Sequence, residues 1–174
     1  TLVVYGINGY SKTIVFTITP NYNHLDINEH IGFVIPNIEF TESMTLNGIV
    51  YSNKDPILTV GTHTIVVEGV NGYTDSIVFD VHPDLIGVEH TQSYIGQATP
   101  VVENIVALYL DGNIHTSGLT ISTIGNFNLE IHGINGYTKV YNFSVMPHIN
   151  GIEDGGVYTD ETPVINVSDG IVEL

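Results

Sequence analysis

Apolar and polar residues alternate along three stretches of the chain that closely resemble one another. Residues 1–20 read TLVVYGINGYSKTIVFTITP, residues 64–83 read TIVVEGVNGYTDSIVFDVHP, and residues 128–147 read NLEIHGINGYTKVYNFSVMP. One face is apolar in all three copies: Leu2, Val4, Ile14, Phe16 and Ile18, then Ile65, Val67, Ile77, Phe79 and Val81, then Leu129, Ile131, Tyr141, Phe143 and Val145. A period of two is typical of half-buried strands, so we predict β-hairpins with this face in the core.

The opposite face of these strands varies between the copies. The residue before the shared glycine is Tyr5 in the first copy, Glu68 in the second and His132 in the third. A face that varies in this way meets solvent or a partner, and the first copy adds outward apolar residues. We therefore predict an interface that includes Val3, Tyr5, Val15, Glu68 and His132.

Asn-Gly pairs mark the turns between the paired strands. Asn and Gly tolerate the positive φ of tight hairpin turns, so we predict structural turns at Asn8, Gly9, Asn71, Gly72, Asn135 and Gly136. A second hairpin is indicated by Asn47-Gly48 and by Asp111-Gly112. A tyrosine follows the Asn-Gly pair in each of the three resembling stretches, and it is expected to anchor that hairpin to its own module.

The shared glycines Gly6, Gly69 and Gly133 lie 63 and 64 residues apart, and a fixed period of this size indicates an array. We predict a partial repeat over 1–20, complete repeats over 21–83 and 84–147, and the beginning of a further repeat over 148–174. Both ends then fall inside a repeat. The segment is therefore expected to be part of a longer repetitive protein, or else neighbouring chains complete the partial repeats.

The composition narrows the possible partners. The chain has 174 residues and a formal net charge of −16, from 19 acidic residues against three lysines, which disfavours nucleic acid and anionic membranes as partners. Cysteine is absent, so disulfides cannot hold the fold together. No apolar run approaches the length of a membrane span. We expect an extracellular or cell-surface protein without membrane insertion in this segment.

Catalytic chemistry has no support in the sequence, since no H-E-x-x-H, G-x-S-x-G or phosphate-binding glycine loop is present. We predict no enzyme activity and no required cofactor. Calcium is possible, because carboxylates recur after the repeat boundaries and cluster in the last copy: Asp26, Glu89, Glu153, Asp154, Asp160 and Glu161. The alternative is an acidic edge that discourages pairing between exposed strands.

The proline-led start VYTDETPVINVSDGIVEL, an Asn-Gly turn, a glycine before an aromatic residue (GNF at 125–127) and a hairpin ending IVFTI together resemble the tandem bacterial immunoglobulin-like repeats of surface proteins. This chain departs from that family in its GINGY and GVNGY loops and in His63, which stands where Phe127 stands in the next copy. The resemblance implies an all-β fold of tandem small immunoglobulin-like antiparallel β-sandwich modules with a period of about 64 residues.

The same resemblance implies a non-catalytic function. The expected role is that of a stalk, layer or fibre subunit that stacks its modules and contacts neighbouring copies of the same protein. The alternative is an adhesin module whose variable outward faces recognise a glycan or a host protein.

Overall fold

The computed structural model describes residues 1–22, 25, 30–69, 72–152, 154, 156–157 and 165–167. These residues form β-strands and one 3-10 turn, Ile7–Gly9. The strands are β1 (Leu2–Tyr5), β2 (Ser11–Ile14), β3 (His30–Ile31), β4 (Ser43–Leu46), β5 (Ile49–Val50), β6 (Gly61–Glu68), β7 (Thr74–His82), β8 (Ser93–Ile95), β9 (Ala107–Leu110), β10 (Asn113–Ile114), β11 (Gly125–His132), β12 (Thr138–Met146), β13 (Ile149–Asn150) and β14 (Asn166–Val167). Within this described part, no helix is long and apolar enough to span a bilayer.

Two five-stranded sheets have the same strand order. One is β5-β4-β6-β7-β3 and the other is β10-β9-β11-β12-β8. The all-β prediction is confirmed, but the sheets are mixed, because the edge strands β3 and β8 pair in parallel with β7 and β12. A strand of two or three residues has too little pattern for the sequence to indicate its partner or direction.

The chain divides into two compact units. The first contains Thr1–Asn28, Ile35–Pro56 and His63–Phe79, and the second contains Glu29–Val34, Ile57–Thr62 and Asp80–Leu174. Strands β6 and β7 therefore contribute residues to both. The predicted boundaries at 21, 84 and 148 stay predictions.

The second unit has a two-layer core. The inward residues of its sheet are Leu108, Leu129, Ile131, Phe143 and Val145, and they cluster with Val88, Ala98, Val102 and Ile121 from the covering segments. Single bridges, Ile86 with Val101 and Ala98 with Ile121, hold those segments together. The cluster is the sandwich core that the alternation in strands β11 and β12 predicted.

The first unit buries Leu25, Ile38, Met44, Ile65, Val67 and Phe79 together with His63. The imidazole ring of His63 stacks on Phe79 with centroids 5.6 Å apart, as Phe127 stacks on Phe143 at 5.5 Å in the second unit. Asn47 lies 3.2 Å from Nδ1 of His63, so the imidazole keeps a polar partner in the core. The histidine thus occupies an aromatic core position in the first unit.

Two-residue turns close the β4-β5 and β9-β10 hairpins. Both central residues have positive φ, 50° and 82° at Asn47 and Gly48 and 49° and 78° at Asp111 and Gly112. The Asn47 side chain accepts a hydrogen bond from the Thr64 amide at 3.0 Å, and Asp111 does the same for the Asn128 amide at 2.8 Å. Each turn residue therefore also attaches its hairpin to the neighbouring strand.

The first hairpin differs from the later copies. Strands β1 and β2 pair only with each other among the described residues. The face that we predicted to be buried, from Leu2 and Val4 to Ile14, Phe16 and Ile18, is exposed, with Leu2 51 % and Phe16 55 % accessible. The prediction was wrong for this copy, because no described strand or second layer covers the two-stranded sheet.

Candidate functional site

The recurring turn is a loop of five residues, which we call the glycine-tyrosine loop: residues 6–10, 69–73 and 133–137. In each copy the glycine amide donates a hydrogen bond to the tyrosine carbonyl, at 2.7 Å in the first two copies and 3.0 Å in the third. The φ angles of Asn8, Gly9, Asn135 and Gly136 are positive, as is that of Gly72, whereas Asn71 lies outside the described residues. In loops 6–10 and 133–137 the two-residue turn expected at these positions is therefore replaced by a longer loop.

Loop 133–137 contacts a segment far away in sequence, residues 60–62, within the second unit. The amide of Ile134 donates to the carbonyl of Val60 at 2.9 Å, and Ile134 forms a parallel bridge with Gly61. The side-chain amide of Asn135 donates to the carbonyl of Thr62 at 2.7 Å. We call residues 60–62 the receiving segment, since the loop adds to it as a short parallel strand.

Two glycines permit this close approach of backbones. A Cβ atom on Gly133 would lie 2.4 Å from the Val60 carbonyl oxygen, and one on Gly61 would lie 2.6 Å from the Ile134 nitrogen. Gly61 also has a φ of 142°, which other residues rarely adopt. Any larger residue at either position would push the loop and the receiving segment apart.

Tyr137 extends the contact to the end of β7. Its hydroxyl lies 2.6 Å from Nδ1 of His82, and the two rings are 5.7 Å apart. Burial raises the pKa of Tyr137 to about 12, with smaller contributions from Tyr141 and Asp80. His82 is the last residue of β7, outside the β11-β12 hairpin, so Tyr137 contacts more than its own hairpin.

Two more polar groups of the receiving segment are also paired. The Thr62 hydroxyl donates to Oδ1 of Asp80 at 2.7 Å, and the Val60 amide donates to the Asn104 carbonyl at 2.8 Å. The receiving segment therefore has hydrogen-bond partners in β7 and in the Asn104 loop as well as in loop 133–137.

The first copy of the loop, residues 6–10, is much more exposed to solvent than the third copy. Ile7 is 91 % and Tyr10 is 64 % accessible, while their counterparts Ile134 and Tyr137 are half-buried. Residues 124–126 are the counterpart of the receiving segment, and Gly125 begins β11 as Gly61 begins β6. At Gly125 a Cβ atom would meet only the Phe127 ring within 4 Å. Among the described residues, this second receiving segment is therefore open.

The residues predicted as an interface occupy comparable places in their own hairpins. Val3, Tyr5 and Val15 are exposed in the first hairpin. Glu68 ends β6 and accepts a hydrogen bond from the Ser43 hydroxyl at 3.0 Å. His132 ends β11, where its Nε2 lies 2.8 Å from Oε1 of Glu130 and its ring lies 4.9 Å from that of Tyr109. These residues stay a predicted interface.

A polar cleft of about 470 Å³ lies in the second unit. Its lining is rich in amide and hydroxyl side chains: Thr91, Gln92, Asp111, Asn126, Phe127, Asn128, Asn142, Phe143 and Ser144. The Asn128 side-chain amide donates to that of Asn142 at 3.1 Å across β11 and β12. A lining of amide and hydroxyl side chains, with the carboxylate of Asp111 beside them, offers hydrogen-bond donors and acceptors to a polyhydroxylated ligand.

The predicted calcium ligands Asp26, Glu153, Asp160 and Glu161 lie outside the described residues. Glu89 and Asp154 are described and exposed. In the described part of the chain, no three His, Cys, Asp or Glu side chains come close enough together to hold a metal ion. The calcium site stays a prediction.

Comparisons with known proteins do not assign the chain to a family. No protein-family model matches the chain, and no curated protein matches it significantly. A search of solved structures found SGBP-B of the Bacteroides ovatus mixed-linkage glucan utilization locus, in complex with a mixed-linkage heptasaccharide, at 14 % identity and a TM-score of 0.25. The match covers 76 % of this chain and 48 % of that one, so this chain spans about half the length of that protein.

Sequence reasoning located the loop but missed the segment that it contacts. One signal was available: a glycine recurs at the start of strands β6 and β11, in TVGTH at 59–63 and in TIGNF at 123–127. A glycine inside a strand pattern indicates close backbone approach. It does not say which backbone approaches.

Proposed function

We propose that this chain is a structural, non-catalytic segment of an extracellular surface or filament protein, in which the glycine-tyrosine loops join successive repeats into a stalk. The contact of loop 133–137 with residues 60–62 carries the proposal. In the predicted repeat boundaries, the receiving segment belongs to repeat 21–83 and the loop belongs to repeat 84–147. The loop would then be the element that fixes one repeat to the previous one.

The chemistry of the contact suits a mechanical role. It combines backbone hydrogen bonds, a hydrogen bond from the Asn135 side-chain amide and the Tyr137-His82 contact. All of these are independent of metal ions and of disulfides. Arrays of small modules gain much of their stability from contacts between neighbours. We call the contact between loop 133–137 and the receiving segment the joint. A joint of this kind would help each small core to resist unfolding under mechanical force.

Force spectroscopy tests this function directly. The chain would be held at its two ends and extended with optical tweezers, in the wild type and in Gly133→Ala. We expect the variant to lose mechanical coupling, so that repeats which unfold together in the wild type unfold in separate steps at lower force. Gly6→Ala is the matched control, since it makes the same change in the exposed loop.

Two results would refute the mechanical proposal. One is independent unfolding of the repeats in the wild type at the same forces as in Gly133→Ala. The other is an equal loss of force in Gly133→Ala and Gly6→Ala, because that would trace the effect to the loop itself and not to the joint.

A second candidate function is an adhesin module that binds a glycan, and the polar cleft favours it. The exposed side chains of Gln92 and Asn126 could donate and accept hydrogen bonds to sugar hydroxyls. A neutral glycan array probed with the wild type, Gln92→Ala, Asn126→Ala and the control Thr116→Ala would test it. Binding that both cleft variants abolish and Thr116→Ala retains would support the adhesin function, and absence of binding to every glycan would argue against it.

A further inference from the structure

We propose that an apolar groove in the second unit, flanked by two carboxylates, is a docking site for a basic peptide segment of another protein. The groove has a volume of about 350 Å³. Phe33, Leu58 and Ile86 supply its apolar surface, and Asp84 and Glu103 supply the carboxylates. The inference goes beyond the proposed function, because it does not depend on the joint.

One side of the groove is built on an antiparallel bridge between Val34 and Ile57. These two residues exchange backbone hydrogen bonds of 3.0 and 2.8 Å, and both side chains are buried. Because successive side chains of an extended segment point to opposite faces, the adjacent Phe33 and Leu58 lie across from each other on the outer face. They are 55 % and 47 % accessible. A fixed backbone therefore presents two large apolar side chains to solvent.

The other side of the groove is built on a second bridge, between Ile86 and Val101. The two residues exchange two backbone hydrogen bonds of 2.9 Å, and Ile86 is 62 % accessible. Asp84 lies two residues before Ile86 and Glu103 lies two residues after Val101, and both are exposed. The bridge therefore brings an apolar side chain and two carboxylates to the same side of the groove.

The same backbone arrangement recurs 64 residues further on with polar side chains. Ala98 and Ile121 form the corresponding antiparallel bridge, and both are buried. The three exposed apolar positions of the groove are all polar there: Gln97, Ser122 and Asn150 in place of Phe33, Leu58 and Ile86. The fold therefore forms without exposed apolar side chains at these positions. An apolar surface that the fold does not require is typical of an interaction site.

The charge of the groove determines what kind of partner fits it. Asp84 and Glu103 repel each other, and a bound cation would relieve this repulsion. None of the three lysines of the chain, Lys12, Lys54 and Lys139, is among the described residues that line the groove. The cation must therefore come from the partner.

A second copy of the chain is a poor source of this cation. Each copy has a formal net charge of −16, so two copies repel each other. A groove of this volume is at the lower end of the range for ligand-binding clefts and has room for two or three side chains. The partner that fits is a short segment of a different protein in which lysine or arginine lies beside an apolar residue.

A library of random dodecapeptides displayed on phage is the probe. Any basic peptide would be attracted to an acidic protein, so the library is first depleted on a groove variant and then selected on the wild type. The surviving peptides should be enriched in lysine or arginine within two residues of leucine, isoleucine or phenylalanine. Fluorescence anisotropy of synthesised survivors should give dissociation constants between about 10 and 300 μM, as expected for so small an interface.

The groove variant combines Phe33→Gln, Leu58→Ser and Ile86→Asn. Each change introduces the residue that stands 64 positions later, so the variant should fold and its charge is unaltered. It should bind the selected peptides at least about tenfold more weakly than the wild type. Leu119→Ser is the matched control, because Leu119 is 57 % accessible in the same unit and does not line the groove. This control should bind like the wild type.

A second pair of variants separates the groove carboxylates from the net charge. Asp84→Asn with Glu103→Gln should weaken binding of the selected peptides at least about fivefold at low salt. Glu89→Gln with Asp154→Asn removes the same amount of charge from exposed positions outside the groove lining and should weaken binding less than about twofold. At about 1 M salt, where the Debye length is about 3 Å, the two double variants should differ less.

Several outcomes would overturn the proposal. They are a library from which no peptide survives depletion, survivors without lysine or arginine, and equal weakening by the groove variant and by Leu119→Ser. Self-association of the wild type that the groove variant abolishes would also overturn it, because the occupant would then be a second copy. If circular dichroism shows that the groove variant does not fold, the three single substitutions replace it, and binding unchanged in all three would refute the site. Failure of the joint would appear separately, in the force measurements on Gly133→Ala.

Discussion

Loops 6–10 and 133–137 have the same five residues and the same closing hydrogen bond, but their environments are opposite. Ile7 and Tyr10 point largely into solvent, while Ile134 and Tyr137 lie against the receiving segment and His82. The local sequence is thus sufficient to form the loop. Its burial depends on whether a receiving segment from elsewhere in the chain lies beside it.

Segments 60–62 and 124–126 likewise share a local conformation but differ in what packs against them. Gly61 and Gly125 both have positive φ and both begin a long strand. In the part of the chain that the structure describes, a backbone packs against Gly61, from Ile134, and none packs against Gly125. Matched substitutions in the two loops and in the two segments can therefore separate the cost of altering local conformation from the cost of breaking the contact.

The largest effect is expected for Gly61→Ala compared with Gly125→Ala. Both changes place a Cβ on a residue with positive φ, but only the first also forces it into a backbone at 2.6 Å. We expect losses in the free energy of unfolding of about 3 kcal/mol for Gly61→Ala and about 1 kcal/mol for Gly125→Ala, from urea denaturation. Equal losses would mean that the glycines serve backbone conformation alone.

Gly133→Ala and Gly6→Ala come next, since neither glycine has a positive φ. The cost at Gly133 is the collision with the Val60 carbonyl, which we estimate at about 2 kcal/mol. Gly6→Ala should change stability by less than about 0.5 kcal/mol. Urea midpoints of the two variants, measured side by side, check this difference, and a large loss in Gly6→Ala would contradict it.

A smaller difference is expected between Asn135→Ala and Asn8→Ala. Both asparagines have positive φ, so the backbone cost of alanine is shared and cancels in the comparison. Asn135 also loses its hydrogen bond to the Thr62 carbonyl, which should cost about 1 kcal/mol more. Thermal unfolding at matched concentration measures the difference, and identical melting temperatures would show that this bond contributes nothing.

The smallest effect concerns pH. Burial raises the pKa of Tyr137 from its ordinary value of 10.0 to about 12, so the folded state favours the neutral phenol. This contribution to stability is complete below pH 10 and is lost as the pH rises from 10 towards 12. Tyr137→Phe should therefore show a shallower loss of stability in that window than the wild type. The same slope in Tyr137→Phe and in the wild type would contradict this contribution of Tyr137.

Local pattern predicted much of the fold. Alternation located strands β6, β7, β11 and β12 and their buried faces, and the Asn-Gly and Asp-Gly pairs located the two-residue turns. The same alternation failed for the first hairpin, because a strand's apolar face is buried only if another layer covers it. The sequence of β1 and β2 carries no information about that layer.

The candidate site was harder to predict because it is made by contacts between distant residues. Asn135 and Thr62 are 73 residues apart, and no local pattern links them. The length of the loop was also missed, since Asn-Gly usually marks a two-residue turn, and here the glycine-to-tyrosine hydrogen bond closes a larger one. His63 was noted as a departure from Phe127, and the structure explains it through Asn47 and Phe79.

Amide hydrogen exchange by NMR tests the central claim, that loop 133–137 is held by the receiving segment, most directly. The Ile134 amide donates to the Val60 carbonyl at 2.9 Å, while Ile7 occupies the identical position in the exposed loop. We predict that the Ile134 amide exchanges at least about tenfold more slowly than the Ile7 amide, and that Gly133→Ala abolishes the difference. Equal exchange of the two amides in the wild type would contradict the joint.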